Sequence, residues 1–213
     1  MKPLIGQHLI PAEKRFHWRG GEITRLEGFT DAVFAFAVTL LVVSLEVPKT
    51  FSELLMAMKG FVAFAICFAI LLQVWYEHYI FSRRYGLQTL YTVFLNSILI
   101  FVVLFFVYPL KFLFNIVVAG LSGGFLATHP VQESIQLSQI PALMVIYSLG
   151  FSSVAAVFAL LYRYAYKLRH ELDLNEYETL CTRHALYNQL AMLGLGLLVA
   201  LTAMLLPVRV SGL

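Results

Sequence analysis

Charged side chains are scarce in this sequence of 213 residues, because Asp, Glu, Lys and Arg together make up only 13% of it. A soluble globular domain usually carries about 25% charged residues. Hydrophobic residues account for 60% of the chain, and the mean hydropathy is +0.81. This composition excludes a disordered chain, a nucleic-acid-binding domain and an ordinary cytosolic enzyme. It predicts a membrane protein, whose first partner is the lipid bilayer.

Cysteines and catalytic motifs are also nearly absent. The two cysteines are Cys67, in an apolar run, and Cys181, in a polar one, and their separation has no metal-ligand spacing. No H-E-x-x-H, Ser/His/Asp or phosphate-loop pattern occurs. We therefore expect two free thiols, no metal site, no cofactor and no enzymatic activity. Residues 1–24 contain no apolar core, which argues against a signal peptide.

Long apolar runs make up most of the remaining sequence. A hydrocarbon core about 30 Å thick requires roughly 20 apolar residues per helical crossing, and strand-like alternation is not seen. The fold class predicted is an all-α integral membrane bundle of five transmembrane helices. Residues 1–24 form a cytoplasmic segment, 25–208 one transmembrane domain and 209–213 a tail. The five predicted spans cover residues 29–47, 54–81, 86–110, 138–162 and 184–208.

Loop charges predict the orientation, since Lys and Arg concentrate on the cytoplasmic side. Two loops carry most of the positive charge: Arg83 and Arg84 in one, and Arg163, Lys167, Arg169 and Arg183 in the other. We therefore expect a cytoplasmic N-terminus and, with five spans, an external C-terminus.

Two segments between the spans are less regular. Residues 112–121 could extend the third helix, lie at the membrane interface or form a re-entrant turn, and the first two are favoured. Residues 171–182 are acidic and polar and are interpreted as a cytoplasmic connector.

Polar residues inside the predicted spans are informative, because burial in lipid without a partner is costly. Asp31 lies one turn inside the first run, with Arg25 at the membrane boundary. The second run carries Trp75, Glu77 and His78 near its cytoplasmic end, and the third carries Asn96. These groups could form one buried cluster. Alternatively, Trp75 belongs to an interfacial aromatic belt, and Glu77 and His78 reach headgroup water.

The first run also has an apolar stripe at helical spacing. Its members are Ala32, Phe36, Leu40, Val43 and Val47. Thr39 flanks this stripe, and Asp31 points away from it. Such a helix could be buried in a bundle, or it could line a pore whose apolar constriction gates by dewetting. Periodicity alone favours the buried helix.

The first-helix motif resembles a known family. Arg25-x-x-x-Phe29-Thr30-Asp31, followed by an apolar run, is similar to the signature R-x-x-x-F-S-D of the transmembrane protein 175 family of potassium channels. Thr30 stands where serine is usual and keeps the hydroxyl. Further similarities are Trp75-x-x-His78, Asn96 and Tyr108-Pro109, and the resemblance covers about residues 20–200.

This resemblance implies a potassium-selective channel that conducts K⁺ passively through a homotetrameric pore lined by the first helix, in a bacterial inner membrane. It places the constriction at Phe36, Leu40 and Val43 and the selectivity threonine at Thr39. The family usually has Ile or Leu in place of Phe36. The resemblance also implies a set of residues that hold the pore helix to its neighbours or belong to the motifs. They are Arg25, Phe29, Thr30, Asp31, Trp75, His78 and Asn96.

Three expectations accompany this interpretation. The alternative function is a proton-coupled secondary transporter or a proton-leak channel that uses Asp31 and His78, with Glu77 completing a relay. A membrane subunit without flux is a further possibility. Family members have a sixth helix after the fifth, and this sequence ends where that helix would begin, so we expect either a truncated chain or a branch without it.

Overall fold

All regular structure is helical in the computed structural model, which describes residues 16–43, 48–128 and 135–205. Over these ranges, four helices, residues 61–85, 90–121, 140–167 and 176–205, are each long and apolar enough to cross a membrane. The predicted all-α membrane fold is thereby confirmed. The helices are α1 (Arg25–Val43), α2 (Phe51–Lys59), α3 (Phe61–Tyr85), α4 (Leu90–Leu121), α5 (Ile140–Lys167), preceded by a 3₁₀ turn at Leu137–Gln139, and α6 (Glu176–Leu205).

The predicted span 54–81 proves to be two helices, so the described ranges hold six α-helices. Four of them are candidate membrane spans, where five transmembrane helices were expected. Thr50 caps α2 by accepting a hydrogen bond from the backbone of Glu53, and Gly60 ends it by donating to the carbonyl of Ala57. A side-chain cap and a glycine at a helix end are local signals that override a continuous apolar run. The short α2 buries none of its residues.

Helix α4 continues well beyond the predicted end at residue 110. It begins at a capping box formed by Thr89 and Thr92, and it passes through Pro109 without ending. The Tyr147 hydroxyl on α5 donates to the carbonyl of Pro109. Residues 112–121 are therefore an extension of the third span, one of the alternatives left open by the sequence. Gly123 and Gly124, both with positive φ, follow the helix end.

Helix α6 begins earlier than predicted, so the interpretation of 171–182 as a connector is wrong for its second half. Asn175 accepts from the backbone of Glu178 at 2.9 Å, and the Glu178 carboxylate accepts from the backbone of Asn175 at 3.1 Å. This reciprocal pair is a capping box, and acidic residues in a first turn favour a helix N-terminus. The chain's last eight residues, which include the predicted tail 209–213, lie outside the described ranges.

Two packing units form the bundle. Helices α5 and α6 pack against each other along their length, and a Cβ added at Gly196 would collide with Ser152. Small residues allow helix backbones to approach closely in membranes. Helix α1 packs against α3 and α4. The shared core includes Phe34, Ala37, Leu41, Leu71, Leu95, Leu99, Val103, Phe158 and Leu161.

Candidate pore helix and its anchors

Helix α1 has two faces of different character. Thr30, Phe34, Ala37 and Leu41 recur at spacings of three and four residues, and all are buried. They make up the face that packs within the chain. The opposite face is also apolar, yet it points away from the chain's own core, and it includes Phe29, Ala32, Phe36 and Val42.

The predicted constriction residues do not share one environment. Phe36 is 56% exposed on the outward face of α1. Leu40 is half-buried and packs against the core cluster, so it lies at the border between the two faces. Val43 is the last residue of the helix, and its side chain lies outside the described part. Of the two constriction residues whose side chains are described, Phe36 is therefore the more exposed.

Thr39 lies on the outward face close to Phe36. Its hydroxyl donates to the carbonyl of Phe36 at 2.7 Å, so its proton is directed into the helix. A hydroxyl oxygen that donates in this way keeps its lone pairs available. Thr39 can therefore offer an oxygen to a cation, while its methyl group keeps the rest of the surface apolar.

Asp31 is bonded to the predicted second-helix motif. Trp75 Nε1 donates to Asp31 Oδ1 at 2.8 Å, which joins α1 to α3. The indole also stacks on Tyr79 with ring centroids 5.7 Å apart. A hydrogen bond to a carboxylate is stronger than one between neutral groups. Trp75 therefore acts as an anchor for α1.

His78 and Asn96 form a buried polar pair behind the same helix. His78 is completely buried, with its ring 6.4 Å from that of Phe34, and Asn96 of α4 is adjacent to it. Neither ring nitrogen of His78 nor Oδ1 of Asn96 meets hydrogen-bond geometry with another described residue. The pair lies between α1, α3 and α4, where packing holds it.

The other motif residues occupy different positions. Arg25 is exposed and makes no ion pair with any residue in the described ranges. Thr30 is fully buried and donates to the carbonyl of Leu26 at 2.8 Å, within its own helix. Phe29 lies on the outward face. The structure thus brings Asp31, Trp75, His78 and Asn96 near each other and leaves Arg25 apart.

Glu77 faces the other side of α3. Its carboxylate accepts from the hydroxyl of Tyr162 at 2.6 Å and from the amide of Gln189 at 3.4 Å. These partners belong to α5 and α6, whereas His78 faces α1 and α4. Adjacent residues on a helix are about 100° apart, so Glu77 and His78 point to different neighbours. Among the described residues, Glu77 is therefore not hydrogen-bonded to Asp31 or His78, the other members of the relay considered from the sequence.

Two further contacts are not predicted by the sequence, one at the end of α1 and one in the segment that precedes it. Lys111 of α4 donates to the carbonyl of Leu41 at 3.2 Å, near the C-terminal end of α1. At the other end, Arg19 and Glu178 form an ion pair at 2.7 Å. The sequence contains one signal for the position of Glu178. The pattern Asn175-x-x-Glu178 is typical of a capping box and marks a helix start.

The described ranges contain no group of three or more His, Cys, Asp and Glu side chains arranged to hold a metal ion. Cys67 is buried, Cys181 is partly buried, and both are free thiols.

Comparison with known proteins gives close relatives. The family model described as "Endosomal/lysosomal potassium channel TMEM175" matches residues 25–107. A protein of Marivirga tractuosa described as a potassium channel is 41% identical over 207 residues, covering 95% of this chain and 83% of the relative. A potassium channel of Chamaesiphon minutus is 40% identical over 70 residues, covering 29% of this chain and 34% of that protein.

Solved structures agree with these matches. A threonine-to-alanine variant of the potassium channel MtTMEM175, crystallised with a nanobody–MBP fusion protein, superimposes with a TM-score of 0.83 at 41% identity. The match covers 92% of this chain and 85% of that one. The lysosomal potassium-selective channel TMEM175 homologue from Chamaesiphon minutus gives 0.53 at 26% identity, covering 84% and 89%. This chain therefore belongs to the TMEM175 family of potassium channels.

Proposed function

We propose that this chain conducts K⁺ passively across the cell membrane through a homotetrameric pore lined by α1. The observation that carries the proposal is the outward face of α1, which is apolar, contains the hydroxyl of Thr39 and includes Phe36 at 56% exposure. Four copies of this face around one axis would enclose a narrow, largely apolar pathway. Family membership supports the same function.

The proposed mechanism follows from the chemistry of that face. Hydrophobic constrictions gate ion flow by wetting and dewetting, and oxygen ligands replace part of an ion's hydration shell. Phe36, with Leu40 at the border of the face, would narrow the pathway. Thr39 oxygens would take the place of some water around K⁺. An apolar ring cannot replace the whole hydration shell, so the conducting pore must remain wet.

The anchors behind α1 explain how such a face could hold its position. The Asp31–Trp75 bond and the buried His78–Asn96 pair lie on the side away from Phe36. Fixed geometry is required of a selective pathway, because small displacements change its width. Arg25, Phe29 and Thr30 complete the motif, and we assign them to structure and assembly. We also propose that the N-terminus is cytoplasmic, on the basis of the loop charges.

Bilayer recording of the purified protein under opposing K⁺ and Na⁺ gradients tests the proposal directly. We expect discrete channel openings and a reversal potential displaced toward that of K⁺. Native mass spectrometry in parallel should give a tetramer. A saturable flux of low turnover driven by a pH gradient would favour a proton-coupled transporter, and a stable tetramer without flux would favour an inert subunit. Either result would contradict a passive potassium channel.

A further inference from the structure

The segment that precedes α1 is attached to parts of the fold far from it in sequence. We call residues 16–24 the strap. Arg19 is its centre: the guanidinium donates to the carbonyl of Leu172 at 2.6 Å, to that of Asp173 at 3.0 Å and to Glu178 Oε2 at 2.7 Å. These partners belong to the α5–α6 loop and the first turn of α6. One side chain therefore joins the strap to the α5–α6 loop and to the start of α6.

Glu178 is the buried partner in this contact. It is completely buried, and its carboxylate accepts from Arg19, from the backbone of His17 and from the backbone of Asn175. A buried carboxylate is costly unless it is paired and hydrogen-bonded, and removal of one partner leaves the other charge uncompensated. The Arg19–Glu178 pair is therefore a strong point of attachment.

The strap is also fixed against the end of α3. The backbone amides of Arg19 and Gly20 both donate to the carbonyl of Arg83, at 3.1 and 3.0 Å. A Cβ at Gly20 would lie 2.8 Å from the carbonyl oxygen of Ser82. Phe16 packs edge-on against Tyr85 with ring centroids 5.8 Å apart. This close fit leaves the strap little freedom relative to α3.

The strap leads directly into the pore helix. Thr24 caps α1 by accepting from the backbone of Glu27 at 3.1 Å, and the carboxylate of Glu27 accepts from the backbone of Thr24 at 3.4 Å. Only four residues lie between Arg19 and this cap. A displacement of Arg19 is therefore transmitted to the first turn of α1.

We propose that the Arg19–Glu178 ion pair is a positioning element for the pore helix, which couples α6 to the N-terminus of α1 and thereby sets the channel's open probability. This inference rests on the proposed function, because open probability has meaning only if α1 lines a conducting pore. Arg19 and Glu178 are positioning residues, since they act through the strap and do not line the outward face of α1.

Single-channel recording of Arg19→Gln, Glu178→Gln and the double variant tests this coupling. We expect each single variant to change open probability by about tenfold, equivalent to about 1.4 kcal/mol in the gating equilibrium. Unitary conductance and K⁺/Na⁺ selectivity should stay at the wild-type level, because the pore-lining face is intact. The double variant should show no larger change than the singles, since the two residues act as one unit. Either sign of the change supports the proposal.

Tyr85→Phe is the matched control. It removes the hydroxyl that bonds Thr182 at 2.8 Å, in the same layer between α3 and α6, but it keeps the ring that Phe16 contacts. Open probability should be unchanged in this variant. Unchanged open probability in both Arg19→Gln and Glu178→Gln would overturn the proposal, as would an equal change in Tyr85→Phe.

Hydrogen exchange gives a readout that does not depend on conduction. The amides of residues 24–28 should exchange faster in Glu178→Gln than in wild type or Tyr85→Phe. Unchanged exchange would overturn the proposal, and so would loss of the tetramer in both charge variants, which would make the pair a general fold determinant. A wild-type protein without current would contradict the proposed function alone, and the exchange result would still decide whether the pair positions α1.

Discussion

Among the residues of α1, we expect the chemistry of Thr39 to bear most directly on ion selectivity. It places a hydroxyl oxygen on an otherwise apolar face, with its proton held by the carbonyl of Phe36. Thr39→Ala removes that oxygen, and we expect K⁺/Na⁺ selectivity to fall by roughly tenfold or more, because four hydroxyls would each contribute about 0.5 kcal/mol. Reversal potentials under bi-ionic conditions measure the effect. Thr39→Ser keeps the hydroxyl and should remain selective, and an unaltered reversal potential in Thr39→Ala would reject the assignment.

Phe36 is the second residue whose role can be measured in isolation. If it narrows the pathway, Phe36→Ala widens the apolar ring and lowers the cost of wetting it, so leak current should rise by roughly several-fold. Phe101→Ala is a matched control, since Phe101 is 69% exposed on α4 and has no proposed part in the pore. Equal currents in the two variants would place Phe36 against lipid or between helices.

At the level of the element, the hydrogen bond from Trp75 to Asp31 joins α1 to α3. Asp31→Asn keeps an acceptor for Trp75 but removes the charge, and we expect the assembled protein to lose about 1 kcal/mol or more of stability. Trp75→Phe removes the donor. The thermal midpoint of the detergent-solubilised protein measures both, and a double-mutant cycle should show that their effects are not additive. Additive losses would mean that the two residues stabilise the protein separately.

The helices show which features the sequence could predict. Five long apolar runs were recognised because crossing a bilayer demands length and composition, and both are local properties. The break at Gly60 depends on a single cap within one of those runs, and the start of α6 at Glu176 depends on a cap before another. A hydropathy pattern averages such signals away. The capping pattern at Asn175 was readable and would have corrected the second boundary.

The anchors show where sequence reasoning ends. Asp31, Trp75, His78 and Asn96 could be proposed as a cluster, because polar residues in apolar runs require partners. The Arg19–Glu178 pair joins residues 159 positions apart, and each is an ordinary loop or helix charge until the strap folds over α3. The separation of Glu77 from His78 likewise depends on which helices surround α3. Tertiary packing decides these contacts.

At the scale of the whole molecule, the outward face of α1 must meet water and ions, lipid, or another helix. Ala32→Cys places a thiol on this face, four residues before Phe36, in a background carrying Cys67→Ala and Cys181→Ala. If α1 lines a pore, a water-soluble, cationic thiol reagent will reach the cysteine and abolish most of the current, because it adds bulk and positive charge to the pathway of a cation. Phe101→Cys in the same background should be insensitive, since a lipid-facing thiol is inaccessible to such a reagent. If the current of Ala32→Cys is insensitive and mass spectrometry detects no labelling, this face of α1 contacts lipid or another helix. A different helix would then have to line the pore axis.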